Sequence, residues 1–241
     1  MRSAFRADPD AIPDPAARER FAALVARRAR GEPLAYLTGR REFWSLELAV
    51  DARVLVPRPE TERLVELALA RGAADQPLAV LDLGTGSGAI ALALAHERPR
   101  WRVTAVDASR DALAVATGNA QRLGIALELL PSDWFGALAG RRFDLIASNP
   151  PYVADGDPHL VALAHEPRGA LCAGPDGLTA LRAIVAAAPA HLARGGWLLV
   201  EHGADQGPAV RALLAAAGLD GIETATDGAG RARVGTGRMP P

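Results

Sequence analysis

From residue 78 onward, short apolar runs alternate with stretches of helical character, and this alternation most constrains the fold. Strand and helix in repeated alternation predict a parallel sheet covered by helices on both faces. Only "DGAG" (227–230) separates the last two runs, and such a short glycine-containing turn indicates an antiparallel hairpin. We therefore expect an α/β fold with a seven-stranded, mostly parallel sheet that ends in an antiparallel pair. The predicted strands lie at 79–83, 102–106, 126–130, 143–147, 196–200, 222–226 and 231–236, and the predicted helices at about 88–97, 109–122, 177–192 and 206–217.

The N-terminal part of the chain lacks this alternation. Residues 16–30 carry apolar side chains at helical spacing after a proline-rich start, which predicts one amphipathic helix. Residues 42–56 have the pattern of two hairpin strands with a turn near Asp51. "PRPE" (57–60) then opens a helix, because proline suits a first turn and glutamate favours its positive end. We expect three parts: a helical segment over 1–40, a β-hairpin linker over 41–57 and a large α/β domain over 58–241.

Composition excludes several kinds of chemistry. Cys172 is the only cysteine, so neither an intrachain disulfide nor a cysteine-based zinc site is possible, and the five histidines lack metal-ligand spacing. All 27 basic residues are arginine, which rules out a phosphate-loop lysine and a Schiff-base lysine. The net charge of −1 gives the chain no general attraction to nucleic acid. With neither a membrane-spanning apolar stretch nor an apolar signal core, we expect a soluble, cytoplasmic protein without a metal.

A glycine-rich turn follows the first strand of the large domain, in "LDLGTGSGAIALALA" (81–95). Alternating glycines permit a tight turn and let backbone N–H groups approach a ligand, at the positive end of the following helix. "GTGSGA" fits the dinucleotide pattern G-x-G-x-x-[GA], whereas Asp82 completes D-x-G-x-G-x-G, which suits S-adenosylmethionine. The turn alone leaves both ligands open. The candidate cofactor-binding residues here are Gly84, Thr85, Gly86, Ser87 and Gly88.

Polar and aromatic residues end the next two strands, at the edge where open α/β sheets bind ligands. Asp107 can accept hydrogen bonds from ribose hydroxyls, although an N-cap of the next helix would also explain it. Asp133 can accept from an adenine amino group, and Trp134 offers a flat face to the ring. These three side chains extend the predicted cofactor site.

The fourth strand ends in a rigid corner, "SNPPYV" (148–153). A sheet of this type reverses its strand order beside the glycine-rich strand, so Asn149 is expected next to the cofactor. The Asn149 side-chain carbonyl and the Pro150 carbonyl can accept the two hydrogens of a substrate NH₂ group, and Pro151 helps fix the backbone. Tyr152 can close against a planar substrate. An amide or aromatic amine is a poor nucleophile, and two acceptors would orient it and raise its electron density.

Taken in order from about residue 31 to the end, the motifs of the chain resemble the HemK/PrmC family, the peptide chain release factor glutamine methyltransferases. The resemblance implies a Rossmann-like class I fold and methyl transfer from S-adenosylmethionine to the glutamine of the Gly-Gly-Gln loop of bacterial release factors. It assigns the methionine part of the cofactor to 84–88, the ribose to Asp107 and the glutamine amide to 149–152. The motifs are "GEPLAYLTGRREFW" (31–44), "VLVPRPETE" (54–62), "LDLGTGSGAIALALA" (81–95), "VDAS" (106–109), "SDWF" (132–135), "SNPPYV" (148–153), "HEPRGAL" (165–171), "GPDGL" (174–178) and "DGAGRARV" (227–234).

One feature departs from the family pattern: little more than one helix precedes residue 31, where the family carries several helices that help to dock the release factor. We therefore expect either that the helical segment is shortened or that the true start lies upstream of Met1. The partner implied is a release factor, with no membrane and no direct nucleic-acid substrate. The alternatives left open are a ribosomal-protein glutamine methyltransferase, an adenine-amino DNA or RNA methyltransferase, an NAD-binding oxidoreductase and a non-catalytic cofactor-binding module.

Overall fold

The computed structural model describes residues 14–241 and contains a seven-stranded mixed sheet and a separate two-stranded hairpin. Strand order in the large sheet is β5-β4-β3-β6-β7-β9-β8, and within this sheet β9 runs antiparallel to the other six strands. The predicted α/β, Rossmann-like class I fold is therefore confirmed. The strands are β1 (Arg40–Phe43), β2 (Leu46–Ala49), β3 (Ala79–Leu83), β4 (Arg102–Asp107), β5 (Glu128–Pro131), β6 (Phe143–Ser148), β7 (Leu192–Glu201), β8 (Asp220–Thr226) and β9 (Ala232–Arg238).

Helices cover both faces of this sheet, because side chains on successive strand residues point to opposite faces and both sets are apolar. In β3, Val80 packs with one buried cluster and Leu81 with the other. The first cluster includes Leu64 and Leu92, and the second includes Leu181. The helices are α1 (Pro15–Ala29), α2 (Leu34–Thr38), α3 (Glu62–Arg71), α4 (Ala89–Glu97), α5 (Arg110–Leu123), α6 (Thr179–His191) and α7 (Gly207–Ala216), with 3-10 turns at Pro59–Thr61, Pro158–Val161 and Arg168–Ala170.

The strand order places the glycine-rich turn beside the proline corner. β3 pairs in parallel with β4 on one side and with β6 on the other, so the chain order reverses at β3. Such a reversal opens a crevice at the carboxyl ends of the strands, where open α/β sheets bind ligands. The residues that follow β3, β4 and β6 therefore meet at one edge.

The hairpin differs from its prediction. Its strands are β1 and β2, and its turn is formed by Trp44 and Ser45, not by residues near Asp51. Both turn residues have positive φ, 52° and 59°, as a two-residue hairpin turn requires. Gly, Asn and Asp are the residues that usually supply this geometry, so "WS" gave no turn signal.

The predicted amphipathic helix near the N-terminus is present as α1, but none of its residues is buried, and Phe21 is 68% exposed. The first part of the predicted 1–40 segment lies outside the described residues. No helix within 14–241 combines the length and apolar character that crossing a bilayer demands.

Candidate active site

A cavity of about 300 Å³ opens at the carboxyl ends of β3, β4 and β6. It brings together most of the residues that the sequence singled out. Gly88, Pro150 and Tyr152 do not line it: Gly88 caps α4 and Pro150 is buried below the surface. The predicted site residues on the cavity wall are Gly84, Thr85, Gly86, Ser87, Asp107, Asp133, Trp134, Asn149 and Pro151.

The glycine turn adopts a backbone that other residues rarely reach. Gly84, Gly86 and Gly88 have φ values of 72°, 56° and 85°. A Cβ on Gly86 would meet no heavy atom within 4 Å, so the backbone there faces open space that a side chain would occupy. The turn is braced from below by Asp82, whose Oδ2 accepts from the Thr85 hydroxyl at 2.6 Å. Burial raises the pKa of Asp82 to about 7, and its Oδ1 has no hydrogen-bond partner in the described part of the chain.

Asp107 joins the glycine turn to the next helix. Its Oδ2 accepts from the Gly86 N–H at 2.9 Å and its Oδ1 from the Ser109 N–H at 2.8 Å. The N-cap of α5 is Ser109, whose hydroxyl accepts from the Ala112 N–H at 3.1 Å, so capping does not explain Asp107. A carboxylate has about four acceptor positions, which leaves Asp107 free to accept two hydroxyls from the cavity.

Trp134 lies over the glycine turn. Its ring would be 3.5 Å from a Cβ on Gly84, an ordinary van der Waals contact, so the positive φ of Gly84 and not a lack of space favours glycine there. The Trp134 φ of 44° is unusual for so bulky a residue. The Ser132 hydroxyl holds this conformation by donating to the Trp134 carbonyl at 2.7 Å. A strained residue held by its surroundings at a cavity wall is typical of ligand contacts.

Asn149 is held through the NH₂ group of its side-chain amide. Its Nδ2 donates to Thr61 Oγ1 at 3.1 Å, and no donor within residues 14–241 occupies its Oδ1. The amide is planar, so fixing Nδ2 also fixes Oδ1, which remains available to a ligand in the cavity. Among the described residues the Pro150 carbonyl likewise accepts no hydrogen bond. The corner therefore presents Asn149 Oδ1 as a free acceptor at the cavity.

Tyr152 braces the corner from the protein side. Its hydroxyl donates to Glu201 Oε1 at 3.1 Å, and its carbonyl accepts from Gln206 Nε2 at 3.0 Å. Burial, followed by the charge of Glu201, raises the pKa of Tyr152. The ring packs with the apolar cluster that contains Leu81, so in this structure it supports the corner and does not line the cavity.

Comparisons with known proteins identify the kind of protein that carries this site. A family model described as "Methyltransferase small domain" matches residues 65–166, and one described as "PrmC N-terminal domain" matches residues 1–39. The chain is 54% identical to the release factor glutamine methyltransferase of Xylella fastidiosa over 228 residues, which are 93% of this chain and 83% of that protein. The chain belongs to the release factor glutamine methyltransferase family.

Two further members agree with this assignment. The release factor glutamine methyltransferase of Pseudomonas aeruginosa is 54% identical over 240 residues, 98% of this chain and 87% of that protein. The solved structure of the protein-(glutamine-N5) methyltransferase (release factor-specific) from Alicyclobacillus acidocaldarius is 31% identical with a TM-score of 0.50, covering 77% of this chain and 95% of that chain. The resemblance inferred from the motifs is thus confirmed.

Several residues that shape this family member's site carried no clear signal in the sequence. Arg58, in "PRPETE", lines the cavity and forms an ion pair with Glu166. Glu166 also accepts from the Val56 N–H at 2.9 Å, so one buried carboxylate anchors the whole segment that brings Thr61 to Asn149. Arg58 and Glu166 come from distant parts of the chain. In the sequence, only their presence within the "PRPETE" and "HEPRGAL" motifs indicated that they matter.

Gly177→Ala tests how closely the corner is supported. Gly177 has a φ of 70°, and an added Cβ would lie 2.4 Å from the Tyr152 carbonyl oxygen. We expect a loss of about 1–3 kcal/mol in the free energy of unfolding from strain and displacement of the corner. Thermal denaturation measures it. The matched control is Gly118→Ala on the exposed face of α5, where nothing lies within 4 Å of the Cβ and a small gain in stability is expected. Equal melting temperatures for the two variants would contradict the prediction.

Proposed function

We propose that this chain transfers a methyl group from S-adenosylmethionine to the side-chain amide nitrogen of a glutamine in bacterial peptide chain release factors. The observation that carries the proposal is the fixed amide of Asn149, whose Nδ2 is engaged by Thr61 and whose Oδ1 is free at the cavity. A free acceptor at that point suits a substrate that offers N–H groups. Its relatives from Xylella fastidiosa and Pseudomonas aeruginosa are release factor glutamine methyltransferases, which supports this substrate.

The residues present fit S-adenosylmethionine. The glycine turn at 84–88 offers backbone and open space to the methionine part, and Asp107 retains acceptor positions for the two ribose hydroxyls. Asp133 and Trp134 suit an adenine, as hydrogen-bond acceptor and as flat apolar face. When bound, this cofactor supplies an electrophilic methyl group on a sulfonium. A dinucleotide is less suited, because the Asn149 corner would have no role in a dinucleotide-dependent oxidoreductase.

The chain's own contribution is to hold a weak nucleophile in line. Asn149 Oδ1 accepts one N–H of the glutamine amide, which fixes the nitrogen and raises its electron density; Pro150, first expected to offer its carbonyl as a second acceptor, does not line the cavity and is assigned the fixing of the backbone. The two prolines keep the Asn149 acceptor in place before binding, so little entropy is lost. Orientation of this kind supplies several kcal/mol of rate acceleration. Tyr152, first expected to close against the substrate, is assigned the support of this corner.

The domain division and the partner belong to the same proposal. We assign release factor docking to the N-terminal segment 1–40, with a hairpin linker at 41–57 and the methyl-transfer site within 58–241. The target glutamine is that of the Gly-Gly-Gln loop, as the family resemblance implies. Because release factors act on the ribosome, a cytoplasmic location follows from this substrate, and no direct nucleic-acid substrate is expected.

A competition experiment tests the substrate. The protein is incubated with S-adenosylmethionine labelled in the methyl group together with a purified release factor, ribosomal proteins and duplex DNA. We expect the label in the release factor, and none in a matched release factor whose Gly-Gly-Gln glutamine is replaced by asparagine, because that amide nitrogen no longer reaches the corner. Label in ribosomal protein or in DNA would replace the proposal by one of the alternatives.

A further inference from the structure

Glu201, the last residue of β7, is a fully buried carboxylate directly behind the proline corner. The Tyr152 hydroxyl donates to its Oε1 at 3.1 Å, while its Oε2 has no hydrogen-bond partner of normal geometry within residues 14–241. Burial raises the pKa of Glu201 to about 7, against the opposing effect of the Thr61 and Tyr152 hydroxyls. A buried carboxylate costs free energy and is normally tied to a partner or to a function.

Thr61 lies between Glu201 and Asn149. It is only 4% exposed, and its Oγ1 already accepts from Asn149 Nδ2 at 3.1 Å. A hydroxyl carries one hydrogen, and a buried hydroxyl hydrogen needs an acceptor. No hydrogen bond of normal geometry joins Thr61 to Glu201 in the described part of the chain, but the Thr61 hydroxyl favours the ionised carboxylate and so lowers its pKa. The unpartnered Glu201 Oε2 is therefore the acceptor available to the Thr61 hydrogen, which would link Glu201 to Asn149 through one hydroxyl.

The direction of these hydrogen bonds decides whether Asn149 presents its side-chain oxygen or its NH₂ group to the cavity. An ionised carboxylate only accepts, so Thr61 must donate to it and can only accept from Asn149. If the carboxyl is protonated or becomes an amide, it can donate to Thr61, and the Thr61 hydrogen can then turn to Asn149. The Asn149 amide would then turn so that its oxygen accepts from Thr61, and its NH₂ group would face the cavity. Two NH₂ groups facing each other cannot form a hydrogen bond.

We propose that ionised Glu201 is a positioning residue that, by accepting the hydroxyl hydrogens of Thr61 and Tyr152, keeps Asn149 Oδ1 turned towards the substrate amide. This inference rests on the proposed function for its substrate, but the orientation of Asn149 is a property of the protein alone.

Other charged groups around Glu201 tune its ionisation. Arg233 on β9 favours the charged form, and Glu60 in the 3-10 turn disfavours it. Glu60 is itself paired with Arg231 at 3.2 Å. His202 follows Glu201 in the chain, and burial lowers the pKa of its imidazole, so it is a second titratable group beside the corner. A pH effect must therefore be assigned with a variant that retains His202.

The first test measures hydrogen exchange of the Asn149 side-chain NH₂ by NMR, with the resonance assigned by its absence from Asn149→Ala. The variants are Glu201→Gln, Thr61→Val and Thr61→Ser. In the wild type we expect one protected NH₂ group, because it donates to Thr61. Protection should be lost in Glu201→Gln and Thr61→Val and return in Thr61→Ser, which keeps the hydroxyl. Full protection in Glu201→Gln would overturn the proposal. If Glu201→Gln does not fold, the comparison of Thr61→Val with Thr61→Ser decides. Equal protection of the Asn149 NH₂ group in these two variants would overturn the proposal.

The second test is kinetic. The turnover number of Glu201→Gln should fall by about tenfold, equivalent to one misdirected hydrogen bond, with cofactor affinity by calorimetry within about twofold. Wild-type kcat should rise as pH increases through about 7, because only ionised Glu201 accepts both hydroxyls. Glu201→Gln, which keeps His202, should lack this rise, and a rise of the same size in it would refute the proposal. Absence of release factor methylation by the wild type would count against the proposed function, and the exchange measurement would still decide the orientation.

Discussion

Replacing Asn149 with alanine is expected to lower kcat for release factor methylation by about a hundred- to a thousandfold, as when one preorganised hydrogen-bonding group is removed from an active site. The variant loses the acceptor that fixes the glutamine nitrogen, and the cavity wall keeps its glycine turn and Asp107. Affinity for S-adenosylmethionine should therefore stay within about tenfold of the wild type, since the lost group contributes at most one hydrogen bond to it. Single-turnover kinetics with labelled cofactor, together with calorimetric binding, separate the two effects.

Asn149→Asp is the matched control, because the aspartate side chain has the same shape and still carries an oxygen acceptor. It should retain measurably more activity than Asn149→Ala. If both substitutions lower kcat equally, the loss arises from the donor to Thr61 and the acceptor role is wrong. Turnover of Asn149→Ala at the wild-type rate would remove the basis for the amide clamp altogether.

The glycine turn and the strand ends were predictable because their signals are local. Gly84 and Gly86 adopt backbone angles that glycine tolerates, and they follow an apolar strand directly. Placing Asn149 beside them required only the rule that an open sheet reverses its order at the ligand crevice, and β3 and β6 pair as that rule demands. Local chemistry plus one topological rule thus located the part of the cavity wall that the strand ends form.

The support of the corner was not predictable, because it depends on contacts between distant segments. Thr61 and Asn149 are 88 residues apart, and Tyr152 and Glu201 are 49 apart. No spacing rule links such positions, and a glutamate at the end of an apolar strand gives no indication that it will be fully buried. Tyr152 was misplaced for the same reason: its aromatic ring suggested a substrate contact, whereas a buried acceptor draws its hydroxyl inward.

The hairpin shows a different limit, since here the local signal itself was missing. Trp44 and Ser45 take positive φ because the segment is held from outside: the Trp44 N–H donates to Glu62 at 2.9 Å and the indole N–H donates to Glu97 at 2.8 Å. Tertiary hydrogen bonds therefore replaced the usual turn residues. The turn was predicted near Asp51 because aspartate is common in turns, and the Asp51 carboxylate does accept from the Arg53 N–H at 3.0 Å.

Asp107→Ala is expected to weaken S-adenosylmethionine binding by about ten- to a hundredfold, because hydrogen bonds to a charged group contribute roughly 1.5–3 kcal/mol. The loss has two sources. The carboxylate no longer accepts the ribose hydroxyls. The Gly86 N–H also loses its acceptor, Asp107 Oδ2 at 2.9 Å, which holds the glycine turn in place. Asp111→Ala is the control: it removes the same charge from the exposed first turn of α5, outside the cavity wall, and should leave affinity unchanged. Calorimetric titration of both variants compares them directly. If Asp107→Ala bound the cofactor as tightly as Asp111→Ala, Asp107 would be a turn-forming residue only, and the ribose would have to be held by another group on the cavity wall.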